Sequence, residues 1–252
     1  MLKRLFRTRN NKTPVASVPD GVRVYAIGDV HGRLDLLDIL LAHIDDDLAR
    51  DRPASTTIIF LGDLIDRGPD SAGVVERVYQ LARQMPDTRV LVGNHEEVFM
   101  RALEGDEKAM RFFCRIGGKE TILSYGISEA KYNDYDYADL TVALQAAVPE
   151  HHRVFISGFE DVIEIGDYAF VHAGIRPGMP ISEQQTTDLR WIRDAFLDHQ
   201  DPFERLIVHG HTITDQPDIR PNRIGIDTGA YAGGPLTALV VEGGQRRFIV
   251  SR

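Results

Sequence analysis

The chain of 252 residues has a single cysteine, Cys114. A disulfide within the chain is therefore impossible, which suits a reducing compartment and sets the expectation of a cytoplasmic protein. The same scarcity removes thiolate-rich structural zinc sites from consideration. No apolar run approaches the roughly 20 residues that a membrane-spanning helix needs, so no membrane partner is expected. Positive charge is also short: 29 Lys and Arg stand against 38 Asp and Glu, a formal net charge of −9. A nucleic-acid partner would require phosphate-neutralising cations, and there is no basic stripe to supply them, which argues against a metallonuclease. An anionic small substrate is still allowed, because bound metal ions can reverse the local sign. The basic N-terminal stretch "MLKRLFRTRNNKTP" lacks the apolar segment of a signal peptide and reads as part of a flexible leader over residues 1–20.

What is present is a repeated device. From residue 21 onward, apolar strand-like runs alternate with helical patterns. "VRVYAIGD" (22–29), "TTIIFLGD" (56–63) and "TRVLVGN" (88–94) read as strands. Between and after them, residues 33–49, 71–85 and 95–105 carry apolar residues at helical spacing. This order predicts crossover units around a sheet covered by helices. Residues 106–152 are mostly helical and read as an insertion over one end of the sheet. The remainder is β-rich: a hairpin over 161–173 turning at Gly-Asp, then strands at 205–211, 223–229 and 235–250, the last folded at "EGG". Two sheets within one domain, 21–252, are expected.

Each apolar run ends in polar residues. The clusters are "GDVHG" (Asp29, His31), "GDLIDRG" (Asp63, Asp66, Arg67), "GNHE" (Asn94, His95, Glu96), "HAG" (His172) and "HGHT" (His209, His211). In sheets built from crossover units, ligands bind beyond the carboxyl ends of the strands, where all five clusters could meet. Carboxylate, amide oxygen and neutral imidazole together suit Mn, Fe or Zn; calcium would want oxygen alone. The donors are too many for one ion and match a two-metal site with a bridging carboxylate. Two divalent ions less two carboxylates, Asp29 and Asp63, and a hydroxide leave a charge of about +1, attractive to a phosphate ester.

In this order the five motifs resemble the phosphoprotein phosphatases of the calcineurin-like metallophosphoesterase superfamily, the short bacterial and phage members above all. The resemblance spans roughly residues 22–240. It implies an α/β fold, a two-sheet sandwich flanked by helices. It implies two divalent metal ions, manganese foremost and iron or zinc as options, held by Asp29, His31, Asp63, Asn94, His172 and His211, with Asp63 bridging. It implies that His95 is the general acid, that Asp66 orients it and raises its pKa, and that Arg67 grips phosphoryl oxygens. Arg193, in "LRWIRDAF", is a looser match to a second phosphate-binding arginine.

The leading expectation from these likenesses is hydrolysis of phosphoserine or phosphothreonine in proteins. The alternative is a symmetrical dinucleoside polyphosphate hydrolase acting on diadenosine tetraphosphate; outside the class stands a non-catalytic metal- or phosphate-binding scaffold. The insertion should discriminate. Lys108, Arg111, Arg115, Lys119 and Lys131 could hold a polyphosphate, and Tyr125, Tyr132, Tyr135 or Tyr137 could stack on a base, but the acidic "NDYDYAD" favours a protein substrate. Other polar residues are expected to be structural: Glu96 as a complement to its helix N-terminus, His209 in the core or behind the ligands, Cys114 and Trp191 in packing. His43, His151, His152 and His199 are expected to face solvent, and Tyr231 to line either the site mouth or ordinary surface. Oligomeric state is not legible.

Overall fold

Why each apolar run carries no polar face is explained by where it lies. The computed structural model describes residues 15–252. Strand β1 (Val22–Ile27) is buried on both sides: Val24 and Ala26 point into the space between two sheets, Tyr25 and Ile27 toward helices. A strand covered on both faces reads as a continuous apolar run, because either side of the pleat is core. The same holds for residues 57–60 of β2 (Ser55–Phe60), parallel to β1; the short β3 (Thr88–Val90), parallel to β2, is buried only at Val90. Helices α1 (Leu34–Arg50), α2 (Ser71–Gln84) and α3 (Asn94–Leu103) alternate with these strands. Asp70 caps α2 by accepting the Gly73 N–H, a local reason for the helix to begin there.

The insertion forms five helices: α4 (Glu107–Ile116), α5 (Gly118–Ser124), α6 (Glu129–Asp134), α7 (Tyr137–Ala147) and α8 (Glu150–Ser157). It thus runs to Ser157 rather than stopping at 152. Phe113, Ile122, Leu140, Leu144 and Ile156 share a core with Val74, Val78 and Phe99, so the insertion thickens the helical layer of the first sheet. Its α4–α5 corner also reaches the carboxyl end of that sheet, where Gly117 O accepts the Arg67 N–H at 3.0 Å.

Hairpin β4 (Val162–Ile165) and β5 (Tyr168–Val171), then β6 (Leu206–His209), β7 (Asp218–Ile219) and β8 (Arg223–Gly225), make a second sheet in the order β4-β5-β6-β8-β7. Strands β9 (Thr237–Glu242) and β10 (Gln245–Val250) return to the first sheet, ordered β10-β9-β1-β2-β3. Both sheets are mixed. Helices α9 (Thr186–Trp191) and α10 (Asp194–Leu197) lie on the outer face of the second sheet, where Leu189 and Phe196 pack against Val171 and Ile207. The result is the α/β two-sheet sandwich flanked by helices. The parallel register of β1, β2 and β3, and of β5, β6 and β8, brings the carboxyl ends of six strands to one rim.

The expected leader needs correction in part. Residues 1–14 lie outside the described residues. Residues 15–20 are packed: Val18 is buried and donates its N–H to Gly243 O, and Ser17 N donates to Asp167 Oδ2. Among the described residues no helix is long and apolar enough to cross a membrane.

Candidate metal centre and active site

Asp63 stands in the middle of the rim. Its Oδ2 is 3.5 Å from His31 Nε2, 3.5 Å from His172 Nε2 and 3.9 Å from His95 Nε2. Each flanking ring is held by its other nitrogen. His31 Nδ1 meets Ile65 O at 2.7 Å, and His172 Nδ1 meets Leu61 O at 2.7 Å. A backbone carbonyl at Nδ1 places the proton there and turns a bare Nε2 toward Asp63, the tautomer a metal ligand needs. Asn94 Oδ1 converges on the same place, 3.0 Å from His172 Nε2. His211 sends its N–H to both oxygens of Asp29, at 3.2 and 3.0 Å, while its buried Nε2 has no partner.

Two sets of ligand atoms therefore gather around one carboxylate: His31, Asp63 and His95, and Asp63, His172 and His211. The buried, unpartnered His211 Nε2 and the mixed oxygen and imidazole donors fit a pair of borderline divalent ions better than any protein-only hydrogen-bond scheme. Electrostatics point the same way. Burial, then Asp227 and Asp63, push the Asp29 carboxyl well above its ordinary range. Burial acts on Asp63 likewise, but the four surrounding histidines outweigh it and hold its pKa well below the usual value. Burial drives His31 down to about 3 and also lowers His172 and His211, so these rings are neutral and available as ligands. Arg67 Nη1 lies 2.9 Å from His31 Nε2, and its charge adds to the lowering of His31.

His95 differs from the other rings. Its Nδ1 is 2.6 Å from Asp66 Oδ2. Burial alone would lower its pKa, but Asp63 and the Asp66 hydrogen bond raise it above the ordinary value. Its Nε2 is buried without a partner, aimed into the centre. Asp66 is in turn held by Thr121, whose Oγ1 donates to Asp66 Oδ1 at 2.6 Å. Burial leaves the Asp66 carboxyl raised despite its histidine partner.

Two supports were hidden from sequence reading. Glu96 was expected only to complement its helix. It does accept the Gly93 N–H at 2.9 Å, but it also accepts Asp63 N at 2.9 Å and Leu64 N at 2.8 Å, with Ile65 N at 3.4 Å. It is fully buried and fixes the turn that carries Asp63. Asp227 was absorbed into an expected strand over 223–229. The strand ends at Gly225, leaving Asp227 at the rim in the same position after β8 that Asp29 holds after β1. Burial, opposed by its hydrogen bond from Gly229 N and reinforced by Asp63, brings its pKa up to about 6. Two glycines are dictated by closeness: a Cβ at Gly93 would stand 2.1 Å from Asp63 Oδ1, and one at Gly210 would stand 2.0 Å from Asp29 Oδ1.

Arg67 and Arg193 approach from different sides. Arg67 crosses the Tyr231 ring, 4.7 Å from its centroid, and Tyr231 meets His31 edge-on at 5.1 Å, so Tyr231 lines the mouth. A groove of about 690 Å³ opens there, lined by Arg33, Arg67, Gly68 and Tyr231 among others. Arg193 is exposed at the rim, and its charge helps to depress His172 and His211.

The remaining expectations divide. Cys114 is half-buried, and burial raises its pKa, consistent with packing. His209 is buried outside the centre, its ring 5.0 Å from Phe196. Trp191 is half-buried and packs against the core of the first sheet's helical layer, as expected; it donates Nε1–H to Glu97 Oε2 at 3.1 Å and sits 6.1 Å from the exposed ring of Phe112. His152 is corrected, being buried against Glu76 and Tyr125. Tyr125 is stacked on Phe99 and lines a groove of about 600 Å³ with Lys131 and Tyr135, and Lys119 is paired with Glu129.

A family model described as calcineurin-like phosphoesterase matches residues 22–232. Among curated proteins, the bis(5'-nucleosyl)-tetraphosphatase PrpE (asymmetrical) of Oceanobacillus iheyensis is 31% identical over 238 residues, covering 86% of this chain and 88% of that protein. The protein of the same name from Anoxybacillus flavithermus is 28% identical over 236 residues, covering 84% and 88%. Among solved structures, a proposed diadenosine tetraphosphatase superposes with a TM-score of 0.63 at 21% identity, covering 93% of this chain and 98% of that one. That likeness speaks to the fold.

Proposed function

The chain belongs to the calcineurin-like phosphoesterase family, and from that footing we propose that it hydrolyses dinucleoside tetraphosphates, cutting off-centre. The name shared by its relatives supports the substrate class, and supports an asymmetrical cut over the symmetrical one that sequence reading considered. The phosphoserine and phosphothreonine expectation gives way for this reason and for a structural one.

The structural observation that carries the reading is the α4 face beside the centre. Lys108, Arg111, Phe112 and Arg115 line one groove there together with Arg101, Asp106 and Glu107, Arg101 being paired with Asp106 and Arg111 with Glu107; Phe112 lies next to Trp191, and Arg193 follows two residues after Trp191. Cations in series with paired aromatic faces are what a polyphosphate ending in a base requires. A second groove offers Tyr231, Arg67 and Arg33, the last paired with Asp35. In this reading the longer phosphate arm would lie on the α4 side and the shorter one on the Tyr231 side.

In this reading Asp29, His31, Asp63, Asn94, His172 and His211 hold two divalent ions. Ions there supply Lewis acidity at the phosphoryl oxygens and make water nucleophilic at neutral pH. Arg67 and Arg193 bind and orient the phosphoryl oxygens, Arg67 by its planar fork. His95, whose pKa Asp63 and the Asp66 hydrogen bond raise, would hold a proton on Nε2 for the departing phosphate oxygen. Thr121 and Glu96 keep Asp66 and Asp63 in place.

The test is a side-by-side kcat/KM of Mn²⁺-loaded protein on diadenosine tetraphosphate and a phosphothreonine peptide, with products separated by chromatography. Preference for the dinucleotide with release of ATP and AMP is expected. Two ADP would keep the substrate and overturn the off-centre cut; preference for the peptide would overturn the substrate. Phe112→Ala should raise KM for the dinucleotide about 10-fold, since stacking on a base is worth ~1–3 kcal/mol, and leave hydrolysis of p-nitrophenyl phosphate unchanged.

A further inference from the structure

Away from the centre, a second kind of site is built where the insertion meets α2. Glu76 on α2 faces His151 and His152 in the first turn of α8. Glu76 Oε2 lies 2.9 Å from His151 Nε2 and 2.8 Å from His152 Nε2. The two rings meet edge to face at 4.5 Å. Consecutive residues on a helix project about 100° apart, so convergence of both rings on one oxygen is not a product of helix geometry alone.

We propose that Glu76, His151 and His152 form a third metal site, for a zinc-class divalent cation, separate from the binuclear centre. Two imidazole nitrogens and one carboxylate oxygen are a donor set that zinc, cobalt or nickel accepts and that magnesium or calcium does not favour. His152 is 4% exposed, and its second nitrogen, Nδ1, is 3.0 Å from Tyr125 OH. A hydrogen bond at Nδ1 fixes the ring and turns Nε2 outward as a ligand, the usual support behind a metal-bound imidazole. Tetrahedral zinc with bonds near 2.0–2.1 Å sets its ligand atoms about 3.3 Å apart. The trio must therefore open by about half an ångström. Glu76 and His151, with side chains 42% and 45% exposed, have room to do so. Their exposure leaves a fourth position for water.

Such an ion would join α2 to α8. Ser71 at the start of α2 lies 2.9 Å from Asp66 N, and Tyr125 follows the α5 helix that carries Thr121. The site therefore ties the insertion to elements that hold the general-acid pair.

The test uses tag-free, Mn²⁺-saturated protein dialysed against zinc with manganese in excess. Total divalent metal per chain is counted by plasma mass spectrometry for the wild type, His151→Ala and Glu76→Ala. Zinc exchange into the binuclear centre affects all three alike, so the difference isolates the third site. The wild type should carry one more equivalent than either variant, and zinc should raise its Tm by more. Both variants change half-exposed side chains, and phosphatase activity in manganese alone checks that each is folded. Equal metal counts in all three proteins overturn the proposal and make the trio a hydrogen-bonded seam between helices.

Discussion

Replacing Glu96 with glutamine tests whether the turn carrying Asp63 is held by an ionised carboxylate. Glu96 Oε2 accepts Asp63 N and Gly93 N, both at 2.9 Å, while Oε1 accepts Leu64 N at 2.8 Å and Ile65 N at 3.4 Å. Four amides directed at two oxygens demand a group with no proton of its own. Burial and the nearby Asp63 outweigh the amides, which pull the other way, and bring the Glu96 pKa up to about 7. The two protonation states predict opposite outcomes. If the carboxylate is ionised, glutamine keeps one acceptor and turns an NH₂ against two N–H groups. Two buried donors then lose their partner at about 1–3 kcal/mol each, or about 2–6 kcal/mol together. That is a large part of the ~5–15 kcal/mol that stabilises a domain. With a urea slope near 3 kcal/mol/M, the midpoint should fall by roughly 0.7–2 M at unchanged slope. Glu97→Gln, one residue on and partly exposed in its pair with Arg190, is the control and should cost less than about 1 kcal/mol. A Glu96→Gln midpoint equal to that of the control would refute the reasoning, because a neutral Glu96 already presents the same mismatched proton.

Asp66→Asn should lower kcat/KM by about 10²-fold or more, the range expected when a general acid is disabled. The loss should shrink on p-nitrophenyl phosphate, whose leaving group needs little proton assistance; an equal loss on both substrates would remove His95 from the acid role. For acid stability, hydrogen bonds from Gln80, His151 and His152 hold the Glu76 carboxyl near 2, below its ordinary 4.5. A depressed folded-state pKa stabilises above the unfolded value and ceases to as pH falls through the folded one. Glu76→Gln should therefore lower Tm most at pH 5.5, with the gap narrowing as pH falls from 4.5 toward 2; a gap that is constant with pH would contradict the assignment.

What was legible in the chain was whatever is encoded locally. Strands β1, β2 and β6 announce themselves because both faces are buried, and the ligand clusters because each follows such a strand. The insertion could be recognised as helical, but not how its side chains pair with the rest of the chain. Lys108, Arg111 and Arg115 were candidates; Phe112, which sits among them, was not, and Trp191 was assigned to the core. Their pairing joins residues 79 positions apart and has no signature in either stretch. Asp227 was lost because "RIGIDTG" reads as one strand, although β8 ends after three residues. Helices α9 and α10, of six and four residues, are too short for periodicity to show.

The least legible feature is the one that makes the site. Among the described residues, the non-glycine residues with positive φ are His31, Asp63, Asp66, Arg67 and His211, and all five belong to the centre. For residues with a Cβ this conformation costs about 1–2 kcal/mol each, so the set costs roughly 5–10 kcal/mol, as much as a domain's whole stability. Local sequence offers no compensation. The structure does: the amide of every one of them is held from elsewhere in the fold. His31 N donates to Asp63 O at 2.8 Å, and Asp63 N to Glu96. Asp66 N lies 2.9 Å from both Ser71 Oγ and Thr121 Oγ1. Arg67 N donates to Gly117 O, and His211 N to Asp29. The strained turns thus hold one another and draw on α2, α3 and α5 for the rest, which is how strain persists at a functional site. It follows that the ligand geometry forms only when both sheets and the insertion have assembled. Weakening a distant support such as Thr121 should therefore loosen the centre before it unfolds the protein.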